Sequence, residues 1–141
     1  MKKDCGMWIH ILSHKLKKRM NANMQSLGLT GGQSRIMHYI LVKCAEGPVF
    51  QRDVEKAFGM SRSTATGILQ LMEKNGLIVR ESVASDARLK SLIPTERAAH
   101  LDAQIGDLLR KSEQHLTDGL SSEQLAQFLE TAAHMAANLD D

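Results

Sequence analysis

Apolar positions fall into blocks of different period, and each block predicts an element. Ala65, Ile68, Leu69 and Met72 stand at i, i+3, i+4 and i+7, one stripe along an α-helix. Asn75-Gly76 ends that helix, since both residue types tolerate the left-handed conformation favoured at a helix C-terminus. Leu77-Ile78-Val79-Arg80 and Leu89-Lys90-Ser91-Leu92-Ile93 then read as two short strands around a polar tip, Ala84–Arg88. Upstream, Trp8, Leu12, Leu16, Met20 and Met24 recur in steps of four within a helix over Met7–Leu27. Such steps drift by about 40° each around an ideal helix, so the stripe spirals and suits a curved partner surface. Gly28-Leu29-Thr30 breaks it. Thr30 caps a second helix, Gly32–Cys44, with Ile36, Met37, Ile40, Leu41 and Cys44 inward.

Glu46-Gly47-Pro48 makes a turn into a third helix, Gln51–Phe58, with Val54, Ala57 and Phe58 inward. Gly59-Met60-Ser61 is the tight link of a helix-turn-helix, with Ser61 as N-cap of the helix that follows. Past the strands, Thr95 caps a long helix to about Asp118, marked by Leu101, Ile105, Leu108, Leu109 and Leu116. Ser121 and Gln124 form a capping box for a last helix bearing Leu125, Phe128, Leu129, Ala132, Met135, Ala136 and Leu139. The class is mainly α with a small β-hairpin wing. Its expected architecture is a winged helix-turn-helix core at about residues 30–95 of a single 1–141 domain. A core of that size has little surface left for three more amphipathic helices. The segments 1–28 and 96–141 are therefore expected to pack on one another and on a second copy, giving a homodimer.

Composition narrows the setting. A chain of 141 residues suits one domain, and no apolar run approaches the roughly 18–20 residues that span a bilayer. Lys2 and Lys3 are followed by no uninterrupted apolar stretch, which speaks against a signal peptide. Two cysteines, Cys5 and Cys44, are too few for a disulfide framework and favour a reducing, cytoplasmic setting. Net charge is only +2, yet residues 1–97 carry +8 and residues 98–141 carry −6. A basic body with an acidic rear suits a protein whose front faces phosphate.

The face opposite the apolar stripe of the fourth helix carries Ser63, Thr66, Gly67, Gln70 and Lys74, all small, uncharged or basic. Such a face can enter a DNA major groove, where bulky or acidic side chains would clash or be repelled. A winged helix used for protein contact is the rival binding class, and Arg62, Gln70 and Lys74 oppose it. Enzyme chemistry finds no support: the chain has no Gly-rich phosphate loop, metal-ligand cluster or nucleophile elbow. No cofactor is expected. His10 and His14 stand at i, i+4, a spacing that can bind metal, but without a third ligand at fixed distance no metal site is expected.

The residues resemble the MarR family of bacterial transcriptional regulators. The resemblance rests on Leu29-Thr30-x-x-Gln33, on Leu69-x-x-Met72-Glu73-Lys74-Asn75-Gly76-Leu77-Ile78, on the wing-tip Asp86-Ala87-Arg88, and on Pro94-Thr95 where the family has Leu-Thr. It covers essentially the whole chain in order. Two positions depart from the pattern: Ala87 replaces a frequent Arg, which weakens phosphate attraction at the tip, and Ala98 or Ala99 replaces a common Gly.

The resemblance implies that the Ser61–Lys74 helix lies in the major groove. Ser61, Arg62, Ser63, Thr64, Thr66, Gln70 and Lys74 would then touch bases and phosphates, with Arg62 suited to guanine and Gln70 to adenine. Ser61 also reads as a simple helix cap. Arg88 would enter the minor groove with Asp86 fixing its guanidinium, while Arg80 and Lys90 would add phosphate contacts or simply line a solvated strand edge. The partner would be palindromic double-stranded DNA, bound by a two-fold dimer and most simply repressed by occlusion. Release would follow a small aromatic or phenolic effector near Trp8, His10, His14, Arg35 and His38. The alternative is thiol oxidation at Cys5, whose lysine neighbours favour a reactive thiolate. Cys5 is expected to precede the first helix, and Cys44 to lie in the core.

Overall fold

The computed structural model describes residues 2–140; the Ala87 side chain also lies outside the described set, and with it the expectation of a weakened wing tip. Among the described residues the order is α1 (Cys5–Ser26), α2 (Gly31–Lys43), α3 (Gln51–Phe58), α4 (Arg62–Lys74), β1 (Ile78–Val83), β2 (Asp86–Pro94), α5 (Glu96–Leu116) and α6 (Ser122–Asn138). The strands pair antiparallel into a two-stranded wing. This is the mainly helical winged helix-turn-helix that the patterning predicts. No helix among the described residues is long and apolar enough to cross a membrane.

The caps lie where short polar side chains can satisfy the free amides of a first helical turn. Thr30 Oγ1 accepts from the Gln33 N–H at 3.1 Å, and Ser61 Oγ from the Thr64 N–H at 3.2 Å. Ser121 and Gln124 hold each other reciprocally, at 2.9 and 3.1 Å. One further cap changes an assignment. Asp4 Oδ1 accepts from the Met7 N–H at 2.8 Å, so α1 starts earlier than expected and Cys5 is its first residue rather than a residue before it.

Other boundaries shift for equally local reasons. Only Gly76, at φ 74°, takes the left-handed turn after α4, while Asn75 stays at φ −82°. The wing tip shrinks to Ala84-Ser85 because both strands extend further than their apolar cores suggest. Ala57 is exposed rather than inward, since an eight-residue helix over the core needs only Val54 and Phe58 on its inner face. Cys44 is half-buried at the core's edge, its thiol donating to the Leu41 carbonyl.

Packing divides the chain into two compact units, Met1–Ile105 and Gly106–Asp141. The first contains the core. Ile36, Met37 and Ile40 of α2, Val54 of α3, Leu69 and Met72 of α4, and Leu77, Ile78 and Leu92 of the wing base are wholly buried together. Met24 closes it from α1, and Ala98, Leu101 and Ile105 from the start of α5. Fully burying such side chains contributes roughly 1.5–3 kcal/mol each before entropy is counted, which is why the winged region holds together. The Leu92 N–H donates to the Val49 carbonyl at 2.7 Å, tying the wing base to the segment that enters α3. Thr95 joins the end of α4 to α5: its hydroxyl donates to the Gly76 carbonyl at 2.6 Å and accepts from the Ala98 N–H at 3.2 Å.

The second unit holds the remainder of α5 and α6. No residue of α6 is buried. Leu109 and Leu116 of α5, which mark the helix in the sequence, are exposed as well.

Candidate nucleic-acid interface

Helix α4 presents its outer face because its inner face is fully committed. Ala65, Leu69 and Met72 are buried, so residues on the far side of the turn must point to solvent. Ser61, Arg62, Ser63, Thr64, Gln70 and Lys74 are exposed and Thr66 is half-buried. At the helix start the hydroxyls meet: Ser61 Oγ lies 2.9 Å from Thr64 Oγ1 and 3.3 Å from Ser63 Oγ. The first turn of α4 has no acidic residue. Free amides, the positive end of the helix dipole and three hydroxyls therefore converge where an anion would be welcome.

The wing supplies the second part. Val83 pairs with Asp86 but Ser82 pairs with Lys90, so Ala87-Arg88-Leu89 leaves the regular register. That irregularity throws Arg88 outward, its side chain 92% exposed. Asp86 Oδ1 accepts from the Arg88 N–H at 3.0 Å and from its Nε at 3.4 Å, which orients the guanidinium from its own turn. Lys90 is exposed on the same strand.

Arg80 departs from the simple picture. Its Nε lies 3.8 Å from Glu73 Oε1, and its side chain is only 25% exposed. It neutralises the carboxylate nearest the C-terminal end of α4 rather than standing free. Gln51 of α3 joins this face as well: its amide nitrogen donates to Thr66 Oγ1 at 2.9 Å and to the Arg62 carbonyl at 3.3 Å. No periodicity or motif marks it, because its partners are reached only through the angle between α3 and α4.

The five residues expected near an effector are all exposed. Trp8 lies under the Lys3 ammonium at 5.2 Å, and the His10 and His14 rings stack at 6.4 Å between centroids. His38 Nδ1 instead meets Asp102 of α5 at 3.1 Å, and Arg35 joins no ion pair among the described residues. A shallow depression lies elsewhere, on α6, lined by Ser121, Gln124, Gln127 and Phe128 among others. No group of three metal-ligating side chains stands together among the described residues. Cys5 is exposed.

The family model described as "MarR family" matches residues 27–89, which run from the end of α1 through the wing tip. Among solved structures, the transcription regulator MarR from Oenococcus oeni is 30% identical, with 95% of this chain and 99% of that chain covered at a TM-score of 0.64. MepR of Staphylococcus aureus, a transcription regulator of the multidrug efflux pump MepA, is 22% identical over 98% of this chain and 100% of its own, with a TM-score of 0.86. MepR solved as a DNA complex is 23% identical over 98% of this chain and 100% of its own, with a TM-score of 0.77. Six helices and a hairpin wing in this order, the motif-bearing segment and a full-length relative agree, and the chain belongs to the MarR family of winged-helix transcription regulators.

Proposed function

We propose that this regulator binds double-stranded DNA sequence-specifically as a homodimer and represses by occluding a promoter. The observation that carries the proposal is the outer face of α4, rich in hydroxyls and in Arg62, Gln70 and Lys74, with its one nearby carboxylate, Glu73, held by Arg80. A structural relative solved with DNA supports the same reading. Arg62 and Gln70 read bases, Ser61, Ser63 and Thr64 hold phosphate, and Arg88, aimed by Asp86, enters the minor groove. Lys74 and Lys90 add phosphate contacts at the edges.

The dimer reading is supported by apolar side chains that the single chain leaves in water. Trp8 and Ile9 of α1, Phe128 and Leu129 of α6, and Leu139, which caps α6, are exposed, a set that favours burial against a second copy. A two-fold pair places its α4 helices about 10 bp apart on one side of the duplex, so the operator is an imperfect palindrome. The protein is a cytoplasmic regulator without catalysis of its own, released by a small aromatic or phenolic effector.

Selection of duplexes from a random pool by the purified protein tests the core of this reading. The expected outcome is an enriched palindrome whose binding weakens steeply with salt and exceeds that of an unrelated duplex by at least about a thousandfold. Equal binding to both duplexes overturns sequence specificity, and no binding at low salt overturns the DNA reading altogether.

A further inference from the structure

Gln51 is the first residue of α3, one helix away from the face that reads DNA, yet its side chain is spent on that face. Its amide nitrogen donates to the Thr66 hydroxyl oxygen and to the Arg62 carbonyl, two groups one turn apart on α4. The amide can face only this way. Turned over, its oxygen would oppose the Arg62 carbonyl oxygen, two acceptors with no proton between them. The consequence falls on Thr66. A threonine inside a helix ordinarily turns its hydroxyl proton back to the carbonyl four residues earlier, here that of Arg62. That carbonyl has two lone pairs, one taken by the Thr66 N–H of the α4 ladder and the other by Gln51, which donates to the hydroxyl oxygen as well. The Thr66 proton is thereby displaced from its local partner and left free to be donated outward, from a half-buried site between the exposed Arg62 and Gln70 turns.

We infer that Gln51 is a positioning residue that sets Thr66 as an oriented hydrogen-bond donor, making Thr66 a determinant of base preference. The acceptor chemistry this selects in a major groove is a guanine N7 or O6, an adenine N7 or a thymine O4, against the amino group that cytosine presents. Gln51 touches no base in this scheme and acts through its neighbour. The inference rests on the DNA-binding reading above.

The test is a double-mutant cycle on the full chain, read by affinity for the selected operator and by the duplexes each variant itself selects. Gln51→Met keeps the length and removes both donors; Thr66→Val keeps the shape and removes the hydroxyl. Each single change is expected to weaken operator binding about threefold to tenfold. The double variant should be no weaker than the worse single one, because the second change removes a group already idle. Gln51→Met should also relax preference at one base pair per half-site and leave the others intact, whereas a merely structural loss would weaken all sequences alike. Gln51→Ala gives the same readouts should the Met variant fold poorly. Multiplicative losses in the double variant, or an unchanged base preference in both Gln51 variants, overturn the inference while the DNA reading stands. A wild-type protein that selects no duplex removes the DNA reading and this inference with it.

Discussion

Helices α4 and α6 carry the same kind of apolar stripe and meet opposite fates. In α4, Ala65, Leu69 and Met72 are completely buried among α2, α3 and the wing base. In α6, Phe128 is 58% exposed, Leu129 64% and the flanking Leu139 83%. Each helix is opened by a serine cap made with the same geometry, so the difference does not lie in local helix formation. Helical periodicity says that a helix needs a covered face; it does not say whether the cover comes from the same chain. For α4 the cover is internal and the polar face is freed for a ligand. For α6 the apolar face is itself the free surface, which is the physical ground for proposing a second copy.

Substitutions at the two stripes should separate these fates. Leu69→Ala opens a cavity in a closed core and should cost about 2–5 kcal/mol in urea unfolding; a loss below about 1 kcal/mol would mean that α4 is not packed as described. Leu129→Asp places a charge on a surface already exposed in the single chain, so it should leave the fold intact and weaken self-association by about 2–4 kcal/mol. Light scattering at micromolar concentration should then report the single-chain mass, and an unchanged assembly would take α6 out of the interface.

The matched caps refine the comparison. Ser61→Ala and Ser121→Ala should each cost about 1 kcal/mol of stability, but only the Ser61 change should also reduce operator affinity in a mobility-shift titration. Equal operator affinity in both variants would leave Ser61 a cap alone. The smallest effect on stability belongs to the wing. Arg88→Ala should change unfolding by no more than about 0.5 kcal/mol, while the dependence of log affinity on log salt should fall by about two ions for the dimer, one from each wing. An unaltered salt slope would place Arg88 away from phosphate.

Much of the site is legible before any tertiary structure because its chemistry is local. Ser61 caps from three residues away, Asp86 orients Arg88 from two, and the apolar stripe of α4 dictates which residues face out. Arg80 was harder to read. As a basic residue on a strand it suggests a phosphate contact, but only the packing of α4 on β1 brings Glu73 within reach of it. The residues expected around an effector share the difficulty, since His38 is engaged by Asp102, 64 residues along the chain.

The sequence by itself determined the order of helices and strands, the caps at Thr30, Ser61, Thr95 and Ser121, the wing and the family resemblance, since each depends on contacts within a few residues or on a short motif. Tertiary structure decided which stripe is core and which is surface, that Arg80 answers Glu73, and that Gln51 reaches across to Thr66. Those outcomes depend on the crossing angle and spacing of whole elements, which the summed packing of the Met24–Ile105 core sets and which no local pattern encodes.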